Sequence, residues 1–502
     1  MYKIIYTLLA SAVCLTANSQ TYNNGTSLFD ESFVHRIDVT FTQTDFWDSL
    51  SYYYDEAQQN GGDTKYLQTI VSIDGNVFNS VGFKQKGYYS NWGAIGSNKK
   101  PFKINLAKYL ADQKYDGLKK INLSNGFEDP SMMRDVLAYK FMRDAGIPAP
   151  RTAYVKLYLN NTYWGLYIMV EELDKNFLEN RYANKDGNLY KCISNTSLSW
   201  QGTNYLDYTD EFDLQTNKTL NNWSPFVNLV DEINNSTTAD FVDSLEAVME
   251  VEKYLTVLAA DVILYNWDSY YDHGRNFFLY QNPDNSKINW LPWDYNLAFS
   301  TSETNLIVDY SGVEAKPLVQ RIQADLNLRS RYFNRVCILM DNYFTIANLE
   351  PFINQTAALI RPDLVTDNNK FFTISEFDIN ISNDLNGSMG VYKGLKQFIN
   401  ERHSAVSNQL NAYNHHCTGL GVEESSNDSF SIFPNPFESS FTIRSNEKLE
   451  KISIYSIAGQ KIVEVELNSY EEVIQLESIE NGAYLIVIQS NGKLSTKKLV
   501  KN

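Results

Sequence analysis

The hydrophobic period changes over one short stretch in the first third of this chain, and that change limits the fold more than any other feature. Residues 131 to 145 carry apolar side chains at Met133, Val136, Leu137 and Phe141, a helical spacing that Gly146 and Pro148 then stop. Ala153, Val155, Leu157 and Leu159 next alternate with Tyr154, Lys156 and Tyr158, Asn160-Asn161 makes a turn, and Trp164 to Val170 returns. That is an antiparallel hairpin. Upstream, Phe33 to Val81 reads as a strand or helix opening, a polar loop at Asn60-Gly61-Gly62, and short strands at Leu67–Val71, Val77 and Val81, with Asp74-Gly75 as a hairpin turn. Downstream, a helix runs through Phe177 and Leu178, and residues 219–265 are mostly helical. A second hairpin follows, Phe277–Tyr280 with Ile288–Leu291 joined by Asn282 to Asn285. Residues 310–410 are again helical, the last helix running from about Tyr392 to Leu410. Residues 33 to 410 therefore form one α+β unit, sheet-rich first and helix-rich later.

The two ends have a different character. Lys3, the apolar run Ile4 to Leu15 and the small residues Ala17-Asn18-Ser19 follow the pattern of a signal peptide, cleaved near Ser19 or Gln20. No other stretch approaches the length of a membrane-spanning helix, so no span is expected after cleavage. Cys192, Cys337 and Cys417 then remain, an odd number that leaves at least one thiol unpaired in the monomer and rules out a dense disulfide framework. Thr418 to Ser429 is a Gly/Ser/Glu linker. After it come short alternating strands at 441–443, 452–455, 462–465, 473–476, 484–488 and 496–500, the pattern of a small all-β sandwich.

Charge and motifs narrow the function. Sixty acidic against 43 basic residues give a net charge of -17, which argues against wrapping nucleic acid. Five His make a His-built zinc site a poor fit, and H-E-x-x-H, C-x-x-C, Walker and G-x-S-x-G motifs are missing. Two acidic stations remain, Trp267-Asp268 to Asn276 and Pro292-Trp293-Asp294, one after a helix and one after a strand, which the hairpin between them should bring to one edge. Carboxylate with Asn amide oxygen suits Mg2+ or Mn2+; the same residues also suit loop capping in polar turns. The complement is a basic cluster, Lys84, Lys86, Lys99, Lys100 and Lys103, from which one inward lysine would neutralise nucleotide phosphates, positioned by Glu128 or a later acid.

Several segments in order resemble the CotH kinase family: Lys99–Leu106, Gly117–Leu123, Asp129-Pro130-Ser131-Met132-Met133-Arg134, Gly146–Arg151, Tyr163-Trp164-Gly165-Leu166-Tyr167 and Glu171–Lys175, followed by the two acidic stations. Together they span about residues 70–410 of a domain taken as 20–417. The resemblance implies a two-lobed atypical protein-kinase-like fold with ATP and Mg2+ or Mn2+ between the lobes, and γ-phosphoryl transfer to a protein hydroxyl. It makes Asp268 the acceptor-side catalytic residue and Asn276 and Asp294 the metal ligands. Lys103, with Lys100 close behind, is the phosphate-contacting lysine, and Glu171 and Glu172 take hinge or adenine-facing roles. G-x-G-x-x-G and H-R-D are lacking, and Gly87-Tyr88-Tyr89-Ser90-Asn91-Trp92 places bulky tyrosines where they would pack under a nucleotide or obstruct it.

Residues 431–502 resemble a type A sorting domain of the type IX secretion system of Bacteroidetes, through Pro434-Asn435-Pro436, Ile454 to Gln460, Gly482-Ala483-Tyr484 and Lys497 to Val500. That implies export through the periplasm and across the outer membrane, with the secretion machinery as one partner and an extracellular or envelope protein as substrate. Three readings follow: a secreted or cell-surface kinase, a catalytically weak envelope-assembly or adhesion protein, and a polysaccharide-associated binding protein.

Overall fold

The computed structural model describes residues 22–301, 304–311, 313–314, 316–387, 390–417, 430–456, 461–476, 479, 481–490 and 493–501. The expected signal peptide at 1–19 and nearly all of the expected linker at 418–430 lie outside them. The chain divides into two compact units, Met1–Tyr413 and Asn414–Asn502.

The first lobe of the first unit is a barrel. Its elements are β1 (His35–Thr40), α1 (Phe46–Asn60), β2 (Leu67–Ile73), β3 (Asn76–Gln85), α2 (Tyr89–Trp92), β4 (Phe102–Asn105), β5 (Lys120–Ser124), α3 (Arg134–Asp144), β6 (Thr152–Leu159) and β7 (Thr162–Val170). The strands close in the order β1-β2-β3-β4-β5-β7-β6, and only the β1–β6 seam among the described pairs is parallel. Two of the three expected hairpins form here. Asp74 and Gly75 have φ 48 and 87, and Asn160 and Asn161 have φ 46 and 64, the positive pair that a two-residue turn matched to strand twist requires. Ile37, Val39, Val71, Phe83, Ile104, Ile121, Val155 and Leu157 fill the interior. The helical spacing around Met133 to Phe141 forms α3, which leaves the barrel and packs in the core of the second lobe.

That lobe contains α4 (Lys175–Glu179), β8 (Leu189–Cys192), β9 (Phe212–Leu214), α5 (Ser224–Asn235), α6 (Phe241–Val248), α7 (Val251–Ile263), β10 (Phe277–Gln281) and β11 (Ile288–Pro292). It continues with α8 (Pro317–Ala324), α9 (Leu326–Asn342), α10 (Ile346–Thr366), α11 (Ile374–Asn380), β12 (Leu385–Gly387), β13 (Gly390–Tyr392) and α12 (Leu395–Ala412). The third expected hairpin is β10–β11, completed by β8 and β9 into a four-stranded sheet. Tyr392 closes the small β12–β13 pair instead of opening the last helix. The chain stays extended at Gly394, and α12 begins after it.

Two buried cations tie the lobes together. Lys99, just ahead of β4, pairs with Asp367 beyond α10, and both side chains are fully buried. Asp367 also accepts the Leu166 N–H at 3.0 Å, and Gly165 leaves the space its carboxylate fills, since a Cβ there would lie 2.7 Å from an Asp367 oxygen. Arg134 donates to the carbonyls of Ala298 and Phe299 at 3.0 Å and of Lys393 at 2.9 Å. A buried cation is retained only where its donors are paired in this way.

The second unit is all β: β14 (Phe430–Phe433), β15 (Ser440–Ser456), β16 (Lys461–Gln475), β17 (Gly482–Ser490) and β18 (Lys493–Lys501). The expected short strands at 441–443 and 452–455 are one strand, β15, and those at 462–465 and 473–476 are one strand, β16. Register shifts between Arg444 and Leu449 bend the pair where the sequence reads as a break. Cys337 and Cys417 are disulfide-bonded and Cys192 is a buried free thiol. Among the described residues no helix is long and apolar enough to cross a membrane.

Candidate active site

The β10–β11 hairpin builds the site at its open end. Phe277 pairs with Pro292, so the residues just outside the ladder, Asn276 and Trp293, face each other, and the Trp293 N–H donates to the Asn276 carbonyl at 3.1 Å. Asn276 and Asp294 both adopt positive φ, 61 and 62, a conformation that Asn and Asp tolerate better than other side chains. The Asn276 amide group donates to the Asp268 carboxylate at 2.8 Å and to the Asp268 carbonyl at 2.9 Å. The structure thus brings Asp268, Asn276 and Asp294 together. Asn276 spends its NH2 on Asp268, so its amide oxygen is the atom left to face a cation.

Burial dominates the electrostatics. It pushes Asp268 up to about 6, against the pull of Arg275 and with a further push from Asp294. Asp294 is raised for the same first reason, with Lys86, Lys191 and Arg275 pulling it back. Beneath it on α3, Asp135 is pushed up to about 8 by burial and then by the charge of Asp294. Lys86 is lowered to about 8 by burial and by Lys103, while Glu172 and Asp294 oppose the shift. Lys191, on β8 in the floor, is lowered by burial and sits within the fields of Glu172, Lys103 and Asp294. Lys86 beside the barrel and Lys191 on β8 therefore both act on the charge of Asp294.

The other expected residues are engaged elsewhere to different degrees. Lys103 donates to Glu172 at 2.6 Å, and Glu172 also accepts Asn122 at 2.6 Å. Burial alone would raise Glu172, but Lys103 and Lys120 outweigh it and hold the carboxyl far below its usual range. This pair lines the cleft beside Lys86, which donates to Asn122 at 3.2 Å. Lys100 turns away from it and donates to the carbonyls of Asn91 and Ala94, closing the loop around α2. Glu171 lies between Arg151 and Arg181, each within 2.6 Å; burial opposes its charge, yet the two guanidinium groups lower it to about 2. Both its oxygens are committed to protein.

Lys191 is the cleft residue that sequence reasoning passed over, and Lys86, named in the basic cluster, was set behind Lys103 and Lys100. The signal for Lys86 was register: Lys84 pairs with Lys103 and Lys103 with Asn122, so Lys86, two residues beyond Lys84, extends the same face. Lys191 is a lone cation in the apolar run Leu189-Tyr190-Lys191-Cys192. The tyrosine loop divides its two rings. Tyr89 donates to Glu128 at 3.0 Å and packs edge-on to Phe127, whereas Tyr88 and Trp92 are 72% and 60% exposed.

Residues 85–406 match the family model described as CotH kinase protein. The chain belongs to this family. Over 282 residues it is 25% identical to the inner spore coat protein H of Bacillus subtilis (strain 168), an alignment covering 53% of this chain and 74% of that one. Two proteins of Rhizopus delemar also match, spore coat protein homolog 1 at 22% and the invasin CotH3 at 21% identity. Those alignments take in 48% and 50% of this chain but only 41% and 42% of the fungal proteins. Among solved structures, the Helicobacter pylori proinflammatory kinase CtkA aligns with 63% of this CotH-family chain and 92% of its own, at 11% identity and a TM-score of 0.27. Residues 431–502 match the secretion system C-terminal sorting domain.

Proposed function

We propose that the first unit is a metal-dependent phosphotransferase that moves the γ-phosphoryl group of ATP to a hydroxyl of an extracellular or envelope protein. The observation that carries this reading is the meeting of Asp268, Asn276 and Asp294 at one hairpin mouth, within the field of the half-buried amines Lys86 and Lys191. The donor set fits a hard cation: a carboxylate from Asp294 and an amide oxygen from Asn276 are oxygen ligands of the kind Mg2+ and Mn2+ take. Such an ion would supply charge neutralisation at the phosphate oxygens. Lys86 adds positive charge on the barrel side of the cleft, where the charge of neighbouring Lys103 is balanced by Glu172. Asp268 orients the acceptor hydroxyl and receives its proton, a role that its raised proton affinity favours near neutral pH. Arg275, 3.4 Å from the Asp268 carboxylate, limits that rise.

Calorimetry and phosphate transfer on a fragment of residues 20–417 test this. Asp294→Ala removes metal-dependent ATP binding, whereas Asp268→Asn retains most nucleotide affinity and loses transfer. Wild-type protein that binds no ATP with Mg2+ or Mn2+ up to millimolar concentration would overturn the reading. One observation favours a fold kept for binding alone: Tyr88, Trp92 and Ile95 are exposed on the loop beside the cleft. On that alternative, envelope or adhesion binding persists in the Asp294→Ala protein. We also propose that the sorting domain carries the chain to the cell surface by the type IX route.

A further inference from the structure

Three consecutive backbone N–H groups run through Asp294, and each is held by a different partner. Trp293 donates to the Asn276 carbonyl at 3.1 Å, Asp294 to the Tyr139 hydroxyl oxygen at 2.8 Å, and Tyr295 to the Asp135 carboxylate at 2.8 Å. The last two partners lie one turn apart on α3, which places them on the same helix face. The same helix supplies Arg134 to the carbonyls of Ala298 and Phe299, so α3 grips the segment 294–299 at both ends. The Tyr295 ring meets the Tyr139 ring edge-on at 5.5 Å, and its hydroxyl donates to Asp261 on α7. Asp294 needs such support, because a non-glycine residue at φ 62 is held in a sparsely populated conformation by its surroundings.

We infer that Asp135 and Tyr139 are positioning residues that fix the backbone turn presenting the Asp294 carboxylate to the cleft. The side chains act through hydrogen-bond acceptance, not through charge. A ligand-like or electrostatic role for Asp135 makes a different prediction: any neutral replacement would then weaken the site equally. Asn at position 135 keeps an oxygen for the Tyr295 N–H, and Ala does not. Burial and the neighbouring Asp294 already favour the neutral form of Asp135, so Asp135→Ala does not threaten the fold in the way that loss of a paired buried cation would.

The first readout needs no ligand. Hydrogen exchange of the Asp294 and Tyr295 amides in the full metal-free chain should be faster by about threefold to tenfold in Asp135→Ala (Tyr295) and Tyr139→Phe (Asp294), the range for loss of one hydrogen bond. Asp135→Asn should exchange as wild type. The second readout rests on the proposed role of Asp294: the Mn2+ concentration for half-maximal ATP binding should rise in Asp135→Ala and Tyr139→Phe. Affinity at saturating Mn2+ should be largely retained, and Asp135→Asn should again match wild type. Unchanged exchange in both Asp135→Ala and Tyr139→Phe, or Asp135→Asn as impaired as Asp135→Ala, overturns the inference. Wild-type protein without Mn2+-dependent ATP binding overturns the proposed function instead, and the exchange readout then decides on the clamp alone.

Discussion

Lys86 and Lys103 lie on one face of the barrel, yet their amines differ in what remains for a ligand. Lys103 is already paired with Glu172, whereas half-buried Lys86 donates to a neutral partner, Asn122. Replacing Lys86 with Met should therefore weaken ATP binding by about tenfold or more, the range for a charge-assisted hydrogen bond, and Lys103→Met should cost less; the opposite order in calorimetry would reverse the assignment. Asp261 gives a second test, of stability. Burial pushes it up to about 7, and its ordinary value is 3.8. The folded state binds more protons between those values, so this residue's contribution is intact at low pH and is lost as pH rises from about 4 to about 7. Asp261→Asn should flatten that decline and be more stable than wild type at pH 8, by at most about 4 kcal/mol, as denaturant unfolding at several pH values will show. The acidic stations were legible in the sequence because a hairpin of readable length joins them. Asp135 and Tyr139 were not, because they reach Asp294 from a helix far back in the chain, and no local spacing reports such a contact.

The elements that fix the cleft are held by the buried Lys99–Asp367 pair. Lys99→Met leaves Asp367 charged and buried, at a cost of about 3–5 kcal/mol. The double change with Asp367→Asn should recover part of that cost, since the amide oxygen still accepts the Leu166 N–H. Gly165→Ala should destabilise as well, because its Cβ enters the Asp367 carboxylate and its φ of 146 is uncommon for other residues. Thermal melts of the three variants check the order, and a Lys99→Met protein melting with wild type would remove the tie from the account. Periodicity exposed the long strands β2, β3, β6 and β7 and the helices of the second lobe. It missed β4, β5, β8 and β9, which have 4, 5, 4 and 3 residues, too few to show alternation. In the second unit it cut β15 and β16 at their bulges. The sequence shows polar residues there, and the backbone continues through them.

At the scale of the whole molecule, two compact units and the sorting-domain match separate export from the site. A chain ending at Glu424 should stay in the periplasm while the full chain passes the outer membrane; finding both in the same extracellular fraction would refute the sorting role. The fragment of residues 20–417 should keep the main thermal transition of the full chain, since the first unit has its own core. The lobe ties bear on how such a chain reaches its destination. Lys99 and Asp367 are 268 positions apart, and Arg134 and Lys393 are 259 apart. Contacts of such separation close late, after the entropy of a long loop has been overcome. A chain threading a membrane from its N-terminus cannot complete the barrel's attachment to the second lobe until nearly the whole first unit has emerged. The architecture therefore delays its own completion, and on the proposed export route the cleft assembles only after the first membrane has been crossed, ahead of the passage to the cell surface.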